Sequence, residues 1–153
     1  MSAVLEEDLE ITYRRLTGEE GVRNYAYNDR TGARVTCNNP VDRGNLSIGI
    51  GINLENGLDE EEIKFLTGRR LEKIRTRLSA YPWFGAIQSP QRRSVLIDIA
   101  FNAGVGGLLG FRRMIDAIEA QDWDRAALEC HAADPRLDSR YDNLARILKT
   151  GGP

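Results

Sequence analysis

The sequence predicts an α+β fold: one helix, a small antiparallel sheet, then a run of helices. Three observations carry that reading. Leu5, Leu9, Tyr13 and Leu16 recur at helical spacing near the start. From residue 22 to 54 the texture changes, with Asn, Asp, Gly and Pro punctuating short segments. Beyond Leu58 the pattern is helical almost throughout. At 153 residues the chain is expected to be one domain, residues 1–153, that can bury a real core. A sheet lobe at about 21–57 and a helical lobe at about 80–153, the latter with the N-terminal helix, are its expected parts.

Each element has its own signal. The first helix runs until Gly21 stops it, and Glu20 continues its apolar stripe. A carboxylate there emerges from the inward side of a helix end. Most such acids are solvated, so the position alone says little. Residues 25–27, 33–36 and 46–48 read as short strands between turn signals at Asn28-Asp29, Thr31-Gly32, Asn38-Asn39-Pro40 and Arg43-Gly44-Asn45. Gly49 and Gly51 suggest close approach by a backbone or a ligand. Asp59 and Glu62 form a capping box, with Leu58 and Ile63 set to staple it. The helix they open, with Ile63, Leu66, Leu71, Ile74 and Leu78 on its apolar face, is long enough to join the two lobes. Ser89-Pro90 opens another at 91–103, apolar almost all round in its second half and so expected at the centre of a bundle. A break at 104–107, a helix at 108–120, a segment at 123–132 capped by Asp122 and a last helix at 135–149 complete the order.

Composition narrows the function classes. Charged residues at 29% and hydrophobic residues at 41% are those of an ordinary globular protein. A net charge of −2 provides no broad basic field for nucleic acid or an anionic membrane. Four acids between Met1 and Glu10, and no apolar run there, argue against a secretory signal or membrane anchor, so a soluble cytoplasmic chain is expected. Cys37 and Cys130 are expected to be free thiols. One histidine, His131, and two scattered cysteines cannot assemble a three- or four-ligand site, so no metal or other cofactor is expected. Cys130 lacks the basic surroundings a nucleophile needs. Asp98, within an apolar helix, is expected in an ion pair or a backbone hydrogen bond. Trp83, Phe84 and Trp123 read as packing residues rather than sugar platforms.

Two carboxylates and a hydroxyl, Glu20, Asp29 and Ser47, can cleave a glycosidic bond without a cofactor if they share a cleft. Their context resembles the phage-type lysozymes, glycoside hydrolase family 24. Glu20-Gly21, Tyr27, Asp29 and the Ser47-Ile48-Gly49-Ile50-Gly51 run follow the order of that family's catalytic stretch. Pro82-Trp83-Phe84, Ala100-Phe101-Asn102-Ala103-Gly104, Gly110-Phe111, Trp123 with Ala126-Ala127, Arg140 and Thr150-Gly151 are similar to its later signatures.

The resemblance implies a lysozyme-like fold and hydrolysis of the β-1,4 bond between N-acetylmuramic acid and N-acetylglucosamine in peptidoglycan. By it, Glu20 is the general acid and Asp29 the carboxylate that assists water or stabilises the oxocarbenium-like transition state. Ser47 stands where a threonine usually helps hold the water; it keeps the oxygen but loses a methyl and some stiffness. Gly51, Phe101 and Asn102 match cleft-lining positions, with Asn102 expected to hydrogen-bond a substrate amide and Phe101 equally readable as a core aromatic. Arg140 is expected to approach and orient Glu20 while burial keeps that acid protonated. An inverting mechanism would set the two carboxyls roughly 6.5–9.5 Å apart. The implied partner is the peptidoglycan glycan strand, bound by a monomer that neither inserts in a membrane nor binds nucleic acid. An endolysin would wait in the host cytoplasm until another protein lesions the membrane; a secreted antibacterial effector shares the same features.

Two departures stand out. Asp29 and Ser47 are further apart than in the shortest members of the family, the extra segment being about 33–45, which enlarges the sheet or forms a loop over the cleft. The low net charge leaves out the basic steering of many bacteriolytic lysozymes, so strong salt dependence is not expected. The competing readings are a catalytically silent peptidoglycan-binding or virion structural domain, and a transglycosylase that works with one acid.

Overall fold

The computed structural model describes residues 7–20, 22–40, 43–132 and 139–152, with the side chains of 7, 8, 19, 20 and 139 outside that description. The fold is α+β, with seven helices and one three-stranded antiparallel sheet among the described residues. The chain divides into two compact units, Met1–Glu62 and Ile63–Pro153.

In the first unit, α1 (Glu7–Glu20) ends on Glu20, where the stripe predicts. The sheet follows as β1 (Arg23–Asn28), β2 (Leu46–Gly49) and β3 (Ile52–Asn53), in that spatial order. Tyr27 pairs with Ser47, and Ser47 with Asn53, so these three form one row across the sheet. Paired side chains share a face, which makes that row the floor of whatever lies above it. An irregularity in pairing between Arg23 and Tyr27 bends β1.

Two strand assignments differ from the prediction. Residues 33–36 form no strand; they carry isolated bridges, Tyr27 to Arg34 and Thr36 to Asn39. Val35 N–H donates to the Ala26 carbonyl at 2.9 Å, but Thr36 and Asn39 then exchange backbone bonds of 3.1 and 3.0 Å and the chain reverses. Turn residues on both sides leave no length for a ladder. The third strand comes instead from Ile52 and Asn53, because Gly49 and Gly51 adopt φ of 68° and 101° and fold the chain back at once.

One buried amide, Asn28, ties the turn before residue 33 to Arg43. Asn28 Oδ1 accepts from the backbone N–H of Arg30 at 2.9 Å and of Thr31 at 3.2 Å, an Asx turn. Its Nδ2 donates to the Arg43 carbonyl at 2.7 Å.

The second unit is helical: α2 (Glu60–Leu78, which begins just before it), α3 (Pro82–Ala86), α4 (Pro90–Gly110), α5 (Arg112–Glu119), α6 (Trp123–Ala132) and α7 (Ser139–Thr150). The capping box forms as predicted, Asp59 N–H donating to Glu62 Oε2 at 2.9 Å and Glu62 N–H to Asp59 Oδ1 at 2.8 Å. Ser89 caps α4 by accepting from Arg92 N–H at 3.2 Å. Val95, Leu96, Ile99 and Ala100 of α4 are buried with Leu78, Leu108, Met114, Ile118, Ala126 and Leu148, so α4 is the central helix. Phe84 lies in that core, and Trp83 and Trp123 pack against it, as packing residues should.

The helix boundaries are corrected at three places. Only Gly104 leaves helical geometry in the predicted 104–107 break, at φ 75° and ψ 160°, a region open essentially to glycine. Val105 and Leu108 are buried, which draws the next turn back into a helix. The second break falls at Phe111, splitting the predicted 108–120 helix, and α3 is a short turn of helix that the pattern does not announce. The predicted start of the last helix at 135 lies outside the described residues.

Arg92 fastens α7 to α4. Its Nε donates to the Leu148 carbonyl at 2.8 Å and an Nη to the Lys149 carbonyl at 3.0 Å, while the guanidinium lies 4.0 Å from the centre of the Trp123 ring. A cation on the last carbonyls of a helix meets the negative end of its dipole. Arg92→Met keeps the stem but loses charge, bonds and stack, and should cost about 2 kcal/mol in a urea melt.

Candidate functional site

The row Tyr27–Ser47–Asn53 opens into a cleft of about 690 Å³ within the first unit, whose walls include Arg23, Asp29, Arg30, Asn45 and Gly51. Three of the sequence-predicted site residues, Asp29, Ser47 and Gly51, therefore meet in one place. Gly51 sits at the turn, where an added Cβ would lie 4.0 Å from the Tyr27 hydroxyl.

Asp29 follows the end of β1, and its carboxylate is gripped by one residue. Oδ1 accepts from the backbone N–H of Asn45 at 2.7 Å, and Oδ2 accepts from Asn45 Nδ2 at 2.7 Å. The main chains are tied as well, Asp29 N–H donating to the Asn45 carbonyl at 3.0 Å. These bonds stabilise the charged form, the backbone one most, and hold Asp29 below the ordinary carboxylate value. Asp29 is thus suited to stay ionised, as a base or a charge stabiliser, rather than to carry a proton.

Asn45→Ala removes the side-chain bond and leaves the backbone one. The Asp29 pKa should rise part of the way back. In any reaction that needs the carboxylate, the acidic limb of the rate–pH profile then moves to higher pH, which a pH series of initial rates would show.

Gly44 makes this grip possible. At φ 98°, an added Cβ would stand 2.7 Å from Asn28 Oδ1 and 2.8 Å from Asp29 Oδ1. Gly44→Ala should therefore displace the Asn45 loop and cost about 2 kcal/mol, measurable by thermal melting together with loss of the Asp29 pKa depression.

Ser47 is 2% exposed, yet its side chain borders the cleft and its hydroxyl makes no hydrogen bond with a described residue. A hydroxyl that shares a cleft with an ionised carboxylate has the chemistry to hold a water. Glu20 is the last residue of α1, three positions before β1 begins. Its side chain, and so its distance to Asp29 and its approach by Arg140, lies outside the described residues.

The chain matches no protein-family model and no curated protein.

The remaining predicted residues belong to the second unit. Phe101 is 42% exposed and lines a cavity of about 660 Å³ with Leu71, Ile97, Asp98 and Arg140, so it is no core aromatic. Arg140 donates to Asp98 Oδ1, giving Asp98 the ion pair expected of it. Asn102 Nδ2 donates to the Asp98 carbonyl at 2.8 Å and to Asp98 Oδ1 at 3.1 Å. Its N–H groups are thus used within α4, and its amide oxygen is what remains for a ligand.

Cys37 and Cys130 are free, and burial pushes the Cys130 thiol up to about 12, far from a thiolate. His131 Nε2 lies 3.0 Å from Asp142 Oδ1, joining α6 to α7. No cluster of three or more His, Cys, Asp or Glu residues able to hold a metal occurs among the described residues. No single described helix is long and apolar enough to cross a membrane.

Sequence reasoning missed Asn45, Asn53, Arg23 and Arg30 as cleft residues. Arg43-Gly44-Asn45 was legible as a turn, but nothing local says that its asparagine reaches back to Asp29.

Proposed function

We propose that this chain is a muramidase with a lysozyme-like fold that hydrolyses the β-1,4 bond between N-acetylmuramic acid and N-acetylglucosamine in peptidoglycan. The observation that carries the reading is the meeting of an ionised Asp29, an uncommitted Ser47 hydroxyl and Gly51 in one cleft.

In this reading Glu20 donates its proton to the glycosidic oxygen as the bond to the sugar carbon breaks. Asp29 faces the positive charge that develops there and takes a proton from the attacking water, which the Ser47 hydroxyl helps to hold. Asp29 receives two hydrogen bonds that favour charge, which suits it to the carboxylate's duty; the duty of holding a proton until the bond breaks falls to Glu20. The expected stereochemistry is inversion. Phe101, Asn102 and Arg140 belong to substrate binding and orientation in this reading. The biological role proposed is that of a phage endolysin, held in the host cytoplasm until a membrane lesion opens the way to the wall.

A turbidity assay on permeabilised Gram-negative cells tests the proposal. The wild-type protein should clear the suspension and Glu20→Gln should not. Failure to clear, with retained sedimentation on purified peptidoglycan, would instead support a silent binding domain.

A further inference from the structure

We infer that Arg30, Ala33, Val35, Pro40 and Arg43 form a subsite for the peptide stem of the muramyl residue, with Arg30 and Arg43 binding its carboxylates; this rests on the muramidase reading above. Beside the catalytic cleft, and within the same unit, lies a second cleft of about 420 Å³. Its apolar wall is Ala33, Val35 and Pro40, and its polar edge carries Thr31, Arg30 and Arg43. No acidic residue is among the described residues that line it, and neither guanidinium has an ion pair with a described residue. Two cations without an ion pair to a described residue, over a small apolar wall, suit a short peptide of small side chains and free carboxylates. A neutral sugar would find few open partners here, because Asn39 Nδ2 is already spent on the Arg34 carbonyl at 2.8 Å.

Position points the same way. Arg30 and Thr31 line both clefts, so the second lies directly next to the first on the side of Asp29. The stem branches from the muramic acid ring, whose glycosidic bond is the one cut, so it must leave the sugar site close to the catalytic groups. The cations are also held in advance: the single Asn28 side chain accepts from the Arg30 N–H and donates to the Arg43 carbonyl. Both arginine backbones are fixed before any ligand arrives, which lowers the ordering cost of binding.

The test compares glycan strands that keep their stems with strands from which an amidase has removed them. For Arg43→Gln, the ratio of kcat/KM on stem-bearing to stripped strands should fall roughly tenfold, mostly through KM. Arg43→Lys should recover part of it, which a loop that merely misfolds would not allow. A ratio equal to that of the wild type overturns the inference. A second measurement separates it from the muramidase reading: calorimetry of a disaccharide–tetrapeptide binding to Glu20→Gln protein with and without Arg43→Gln. Stem-dependent binding weakened by Arg43→Gln sustains the subsite even if no strand is ever cut. Binding that is the same for the stem-free disaccharide overturns it even if cleavage is observed.

Discussion

Glu20→Gln protein should fold like the wild type and lose peptidoglycan cleavage by about 10²–10⁴-fold, the usual worth of a positioned general acid. The amide has nearly the shape of the carboxyl but no proton to give. Matching circular dichroism and melting curves for the two proteins would tie the loss to chemistry. Activity within a few-fold of wild type would remove Glu20 from the mechanism.

Asp29→Asn should reduce kcat by about 10²–10³-fold with little change in KM, since the charge is wanted mainly in the transition state. Both Asp29 oxygens accept from donors of Asn45, so an amide at 29 sets its own N–H₂ against a donor. Some of the loss could then come from a loosened loop. Asn45→Ala is the control, because it removes one of those bonds and keeps the carboxylate. A large loss in Asp29→Asn with a small one in Asn45→Ala assigns the effect to charge. Near-normal turnover by Asp29→Asn would favour the transglycosylase reading, in which one acid suffices.

The order of elements and the central helix were legible because they rest on local signals. Ser89-Pro90 and Asp59 with Glu62 specify helix starts through bonds made within a turn. The apolar residues Val95, Leu96, Ile99 and Ala100 along α4 marked it for the core. What could not be read depends on contacts between distant residues. Residues 33–36 have strand-like side chains, but whether they form a ladder depends on how soon the next turn reverses them. The break at Gly104 and not at 106 or 107 was decided by which neighbours found the core.

The candidate site divides along the same line. Asp29, Ser47 and Gly51 were found because their order along the chain carries the signal. Asn45 was not, because its role is a long-range grip on Asp29 that needs Gly44 at positive φ beside it. The low charge of the whole chain likewise hid a local pair of arginines, since a net charge of −2 says nothing about where the cations gather.

The central claim is a hydrolytic muramidase, and the ends of its products test it most directly. Purified peptidoglycan digested in heavy-oxygen water should yield fragments with muramic acid at the new reducing end, each carrying one oxygen from the solvent by mass spectrometry. Fragments ending in 1,6-anhydro-muramic acid without solvent oxygen, or no fragments from a well-folded protein, would contradict it.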